Sequence, residues 1–268
     1  MASRSEKAPE APARNGVQSA DTVLLVLSSF VGAEPEPMLR TLADRTGLHP
    51  AKVHRYLVSL SRMGYTAQDP ETSRYRLGPA ALRLGMAAMT AVDPIRVTRP
   101  LMHGFCRSIG HAVVLAVWTD AGPTITLRET APAPITINAA EGSIPPMLRS
   151  AIGRAFGAWL PDERTSILID RELAVLARHP ATGCPSTREE VDALFRDVRR
   201  RGVARSTGQL SAGVHALAAP IFGADGQLTA VLCTLGSASD FDSTWSGTTA
   251  RRLAEAAKSV SSALGFEA

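Results

Sequence analysis

Between Pro50 and Met63, the residues Lys52, His54, Arg55 and Ser59 alternate with the apolar residues Val53, Leu57 and Leu60. The apolar three recur at spacings of four and three, which marks one buried face of a helix. Ala51, Lys52, His54, Arg55 and Ser59 therefore project away from that face. Arg and Lys donors presented on a helix can meet guanine acceptors in a major groove, or grip phosphate. An ordinary solvated helix carries the same residue types, so the surrounding elements must decide between the two. Arg74 and Arg76 flank Tyr75 in a segment suited to backbone or minor-groove contact, with Tyr75 packing underneath, and Arg45 and Arg62 are further candidates for phosphate.

Other reactive residues do not form recognisable chemistry. Cys233 and His215 lie outside any nucleophile motif. His111, His179 and Cys184 lack zinc-like spacing, and the Gly142-Ser-Ile segment lacks the closing Lys-Ser/Thr of a phosphate loop. No catalytic residue, metal site or cofactor is expected.

The elements around the basic helix form a pattern. Apolar residues between Asp21 and Val31 (Val23, Leu24, Val26, Leu27, Phe30) predict a first helix, stopped by Gly32, Pro35 and Pro37. Met38 to Thr46 predicts a second, closed by Gly47, and Pro50 sits at a first-turn position of the third, where its missing N–H is not needed. Extended pieces at Tyr65–Gln68 and Arg74–Leu77 flank a run of turn formers from Asp69 to Ser73, which predicts a hairpin. Three helices and a hairpin, with only Gly47 and Leu48 between the second and third helices, describe a winged helix-turn-helix. Ala80 to Ala91 reads as a connector helix.

Beyond it, strands are expected at Ala112–Thr119, Thr124–Thr130, Ile135–Asn138, Val203–Ser206, His215–Ile221 and Leu228–Leu235. Helices are expected at about Pro146–Leu160, Asp162–Ile169, Arg188–Arg201 and Thr244–Leu264. The fold class is α+β, with antiparallel strands flanked by helices rather than a parallel doubly wound sheet. The expected division is a flexible tail over residues 1–18, a DNA-binding domain over 19–78, a linker helix over 79–93 and a second domain over 94–268.

Composition agrees with two globular domains: 268 residues, 45% of them hydrophobic, can bury two cores. No apolar run reaches the length of a membrane span, and no signal-peptide core opens the chain. Three well-separated cysteines argue against a disulfide framework, so a cytoplasmic protein is expected. Of the net charge of +4, residues 1–90 supply +3, from 11 Lys and Arg against 8 Asp and Glu. The basic excess thus lies with the expected DNA-binding domain.

The segments 39–48, Val53-His-Arg-Tyr-Leu57 and 64–78 together resemble the DNA-binding domain of the IclR family of transcriptional regulators. Residues 142–155, 213–221 and 226–236 resemble that family's effector loop, its following helix and its closing strands. The resemblance implies a winged helix-turn-helix followed by a GAF-like effector-binding domain, and a repressor or activator whose grip on DNA a small molecule controls. It further implies a homodimer or tetramer on a pseudo-palindromic operator, and an organic or aromatic acid as effector. By the same resemblance the effector pocket lies between the helix near Pro146 and the sheet. Trp118 and Ile137 would come from strands, Arg149, Ser150, Ala151 and Gly153 from the helix start, and Cys233, Thr234 and Ser237 from the last strand. Backbone amides there, with Arg149 nearby, suit a carboxylate. The sequence departs from many relatives at Pro50-Ala51-Lys52, at Leu148 in place of a common His, and at residues 206–209 in place of an acidic cluster. The other reading is a protein-interaction or oligomerisation module without a ligand.

Overall fold

The computed structural model describes residues 16–91, 93–131 and 139–267. Contacts divide the chain into two compact units, one ending at Ala91 and the other beginning at Val92.

In the first unit, α1 (Gln18–Ser28), α2 (Leu39–Thr46) and α3 (Pro50–Arg62) enclose one small core. Val26, Leu42, Ala43, Val53, Leu57 and Leu60 are buried together, and Tyr75 closes the cluster. α2 stops at Gly47, whose left-handed φ of 66° turns the chain directly into α3. Pro50 occupies the first turn of α3, and the His49 side chain caps it by accepting from the Ala51 amide at 3.3 Å.

β1 (Thr66–Gln68) and β2 (Tyr75–Leu77) form the antiparallel wing, with Ala67 opposite Arg76. Asp69 Oδ1 fixes its turn by accepting from the amides of Glu71 at 2.8 Å and Thr72 at 2.9 Å. These two bonds hold the Asp69 carboxyl below its ordinary pKa. The base of the wing is tight: a Cβ on Gly78 would lie 2.3 Å from the Gly64 carbonyl oxygen, so only glycine fits. α4 (Pro79–Ala91) follows and leaves Leu82 and Leu84 exposed.

The second unit is built on a five-stranded antiparallel sheet. Its members are β3 (Ala112–Thr119), β4 (Gly122–Glu129), β5 (Ala204–Thr207), β6 (Val214–Phe222) and β7 (Leu228–Ser237), in the order β4-β3-β7-β6-β5. Strand alternation feeds two cores. Val114, Ala116, Ala218, Val231 and Cys233 pack against α6 (Ala151–Trp159), α7 (Asp162–Arg178) and α8 (Arg188–Arg201). Val113, Leu115, Leu217, Ala230 and Leu232 pack against α5 (Pro94–Ile109) and α9 (Thr248–Ala263). The fold class is α+β: the first unit is a winged helix-turn-helix and the second a helix-covered antiparallel sheet.

Several expected elements are corrected. α5 is absent from the expected set, in which the connector helix ends before Asp93-Pro94 and the next element is the strand at Ala112. Pro94 instead starts the helix under an Asp93 cap, and Thr98, Met102 and Cys106 supply its buried stripe. The helix expected from Pro146 begins at Ala151 under a Ser150 cap, and residues 146–150 form a loop. α7 extends to Arg178 rather than ending near Ile169, and α9 starts at Thr248 rather than Thr244. The strand expected at Ile135–Asn138, with Ile137, lies outside the described residues.

Candidate functional site

α3 presents Ala51, His54, Arg55 and Ser59 at its surface, with Lys52 partly exposed, while Val53, Leu57 and Leu60 anchor its other face. The helix is thus fixed by burial and free to offer Lys52 and Arg55. His54 is tied to the wing, its Nδ1 lying 3.3 Å from the Tyr75 hydroxyl. That contact ties α3 to the wing. Ser59 Oγ bonds back to the Arg55 carbonyl at 3.3 Å. In the wing Arg76 is exposed, but Arg74 is already engaged: Nη1 donates to the Glu36 carbonyl at 2.7 Å and lies 3.4 Å from the Glu34 carboxylate. Arg45 likewise donates to the carbonyls of Val31 and Gly32. Both arginines brace the loop between α1 and α2, a role that spacing alone did not reveal.

In the second unit a cavity of about 370 Å³ opens between the start of α6 and the sheet. Val114, Ile125, Ala216, Cys233 and Leu235 wall it from the strands, and Ile144, Pro145 and Pro146 from the loop. Polar groups enter from Ser143, Ser150, Ser206 and Ser211. Ala151 and Ile152, the first residues of α6, also line it. Their amides have no carbonyl one turn earlier to bond, and they carry the positive end of the helix. No Lys, Arg, Asp or Glu lines the cavity among the described residues.

A buried shell holds this loop. Glu172 on α7, only 8% exposed, accepts from the amides of Leu148 at 2.9 Å and Arg149 at 3.1 Å. Arg154 on α6 is buried and bonds three carbonyls, Leu148 at 2.7 Å, Arg205 at 2.6 Å and Gly183 at 3.2 Å. Burial lowers its guanidinium pKa. Ser206 Oγ donates to the Arg149 carbonyl at 2.8 Å. Neither Glu172 nor Arg154 was expected, because a charge inside a helical stripe reads as surface until its partners are known.

Of the expected effector residues, the structure brings Ser150, Ala151 and Cys233 to the cavity. Trp118 sits apart, its ring centroid 5.6 Å from that of Phe156 and the Arg164 guanidinium 5.7 Å over it. Arg149 points to Glu172, with Nε 3.3 Å from Oε1. Gly153 lies behind the loop and donates its amide to Ser150 Oγ at 2.8 Å. Thr234 is buried and donates to the Ala112 carbonyl, the opposite parity on β7 from Cys233. Ser237 Oγ pairs with Ser239 Oγ at 2.9 Å.

A family model described as the bacterial transcriptional regulator IclR C-terminal domain matches residues 86–262, and one described as the IclR helix-turn-helix domain matches residues 19–70. The chain belongs to the IclR family.

As an IclR-family member it is a DNA-binding transcriptional regulator rather than an enzyme. It is similar to Pseudomonas aeruginosa HmgR, with 32% identity and a TM-score of 0.85 over 94% of this chain and 99% of that one. The transcriptional repressor IclR of Escherichia coli is 25% identical over 214 residues, 79% of this chain and 77% of its own. An IclR homologue from Microbacterium hydrocarbonoxydans, solved in complex with 4-hydroxybenzoate, shares the fold at 19% identity and a TM-score of 0.54, over 90% of this chain and 97% of that one. In this IclR-family chain Cys233 is fully buried, which pushes its thiol up to about 12. A thiol so protonated is a wall, not a nucleophile. Among the described residues no three His, Cys, Asp or Glu side chains are placed to hold a metal, and no helix is long and apolar enough to cross a membrane.

Proposed function

We propose that this regulator binds a small organic acid, aromatic acids included, in the cavity at the start of α6, and that occupancy changes its affinity for a pseudo-palindromic operator. The observation that carries the reading is the cavity itself. Apolar walls would take a ring or short chain, while the hydroxyls of Ser143 and Ser211 and the amides of Ala151 and Ile152 would take a carboxylate without a guanidinium. The 4-hydroxybenzoate bound by the Microbacterium homologue is a ligand of that chemistry. Ser143, Ser206 and Ser211 join Ser150, Ala151 and Cys233 as the proposed contacts.

In this reading residues 19–78 bind DNA and residues 94–268 bind the effector, in the cytoplasm. Lys52 and Arg55 read bases, and Arg76 grips the backbone. A homodimer supplies the two recognition helices that a two-fold operator needs. The exposed Leu82 and Leu84 of α4 support pairing there, and a tetramer would follow if the second units also pair.

A thermal-shift screen of benzoates and short keto acids on the full chain, followed by operator binding with and without the hit, tests the proposal. A bound acid raises Tm by mass action and shifts operator affinity by about 5- to 150-fold. If no acid in the panel does either, and DNA binding remains intact, the reading fails.

A further inference from the structure

Charge on the surface of α5 is of one sign. The helix holds Arg96, Arg99, His103 and Arg107 and no Asp or Glu, whereas α7, α8 and α9 each mix acids with their bases. Spacings of three, four and four set the four basic side chains on one face, away from the stripe of Thr98, Met102 and Cys106 that buries the helix. All four are exposed. On α8, Arg188, Arg200 and Arg201 are ion-paired with aspartates. Among the described residues, Arg96, Arg99 and Arg107 have no such partner and no side-chain hydrogen bond. The neighbouring acids are engaged elsewhere: Asp93 accepts from the Ile95 amide at 2.9 Å, and Glu129 lies 3.7 Å from His103 Nδ1. At the end of the helix, Arg252 of α9 donates to the Ser108 carbonyl at 2.7 Å and adds a further cation.

We propose that this face of α5 is a second DNA-binding surface, which grips backbone phosphates without reading bases. At a helical rise of about 1.5 Å per residue, Arg96 and Arg107 stand about 16 Å apart along the axis, and a duplex offers one negative charge per about 1.7 Å. Guanidinium groups match phosphate geometry. Charge selects the occupant. A second copy of α5 on this face would set like charge against like. A protein interface carries apolar or aromatic anchors at its centre, and the exposed positions beside the arginines are instead Pro100, Gly104 and Ser108. A membrane surface takes inserted apolar side chains, but the exposed Leu101 lines the crevice toward α9. Duplex DNA is the polyanion that this regulator already binds. The surface is independent of the effector cavity, so either assignment can fail without the other.

The probe is a long fluorescein-labelled duplex of random sequence, titrated with the full chain by anisotropy over a series of salt concentrations. Replacing Arg96, Arg99 and Arg107 together by Gln should lower the slope of log affinity against log salt by about 2 to 3, at roughly 0.9 per phosphate lost, with Tm unchanged. Each single replacement should lower it by about one. Lysine at all three positions keeps the charge and should keep the slope. A control, Arg171→Gln with Arg178→Gln and Arg196→Gln, removes the same charge from exposed positions on α7 and α8 and should leave the slope as in the parent chain. Should the triple glutamine variant melt early, the single variants decide in the same way. A parental slope in the α5 variants, as an acidic protein partner for this face would give, overturns the proposal. So does an equal fall in the α7 and α8 control, which would assign the effect to net charge alone.

Discussion

Glu172 Oε2 accepts a 2.9 Å hydrogen bond from the amide of Leu148, a residue 24 positions earlier and on another element. Its second oxygen takes the Arg149 amide and the Arg149 Nε. One buried carboxylate therefore satisfies two main-chain donors of the loop that runs into α6, and through that loop it sets where Pro146 and Ser150 stand in the cavity wall. An anion beside two amides and a guanidinium is a charge-assisted arrangement, stronger than neutral pairs of the same geometry.

Replacing Glu172 with Gln tests that arrangement. The glutamine keeps the volume but turns an –NH2 toward one of the donors, leaving a buried N–H unmatched. Unfolding stability should fall by about 1–3 kcal/mol, read by urea denaturation. Effector binding should weaken with it while operator affinity of the unliganded chain is retained. An unchanged unfolding midpoint would show that the loop does not depend on the carboxylate.

Arg55→Ala and Arg74→Ala should separate recognition from bracing. Arg55 is exposed on α3 and its loss removes no contact within the unit other than surface packing. Operator affinity should drop by about 1–3 kcal/mol with Tm unchanged. Arg74 ties β2 to the loop at Glu34 and Glu36, so its loss should also lower the Tm of the isolated transition of the first unit. Calorimetry beside a mobility-shift titration distinguishes the two. Equal effects on DNA binding with Tm intact in both would assign Arg74 to the DNA after all.

Much of this was legible in the residues, and the failures have physical causes. The winged domain could be read because Gly47, Pro50, Gly64 and the Asp69–Ser73 turn each mark an element end, and Val53, Leu57 and Leu60 keep helical period. α5 could not, because a proline at a first turn and one that ends a helix look alike until the Asp93 cap is seen. On β7 the placement of Cys233 and Thr234 turns on parity: one residue of register decides whether a side chain meets the cavity or the other core. Arg149 was expected to face a ligand because the partner that claims it, Glu172, is remote in sequence.

Two glycine substitutions on α6 and α5 should move stability in opposite directions. A Cβ on Gly153 would stand 2.2 Å from the Pro146 carbonyl oxygen and 2.5 Å from Met147 Cα, both main-chain atoms that cannot swing aside. Gly153→Ala should cost about 2–3 kcal/mol and open the loop. Gly104, inside α5, has nothing within 4 Å of a built Cβ. Gly104→Ala should therefore stabilise by up to about 1 kcal/mol through helix propensity. Urea midpoints of the two variants check both signs.

The buried thiol predicts how stability responds to alkali. Cys233 is buried, and burial raises its pKa from 9.0 to about 12. Between those values the folded chain keeps the proton while the unfolded chain releases it. The unfolded state then binds fewer protons, and stability falls as pH rises, by about 1.4 kcal/mol per unit for this one group. Below the unfolded value the thiol is protonated in both states and contributes no slope. Cys106 and Cys184 are shifted upward as well, mainly by burial, so each adds to the same trend. Cys233→Ala isolates one group: urea unfolding at pH 8 and again at pH 10.5 should show a smaller loss in the variant than in the parent chain. The parent will also be reluctant to alkylate at Cys233, whereas Cys184, the one cysteine that is not buried, should react first with iodoacetamide. Equal alkaline losses in parent and variant would mean that the Cys233 thiol is not buried in the folded chain.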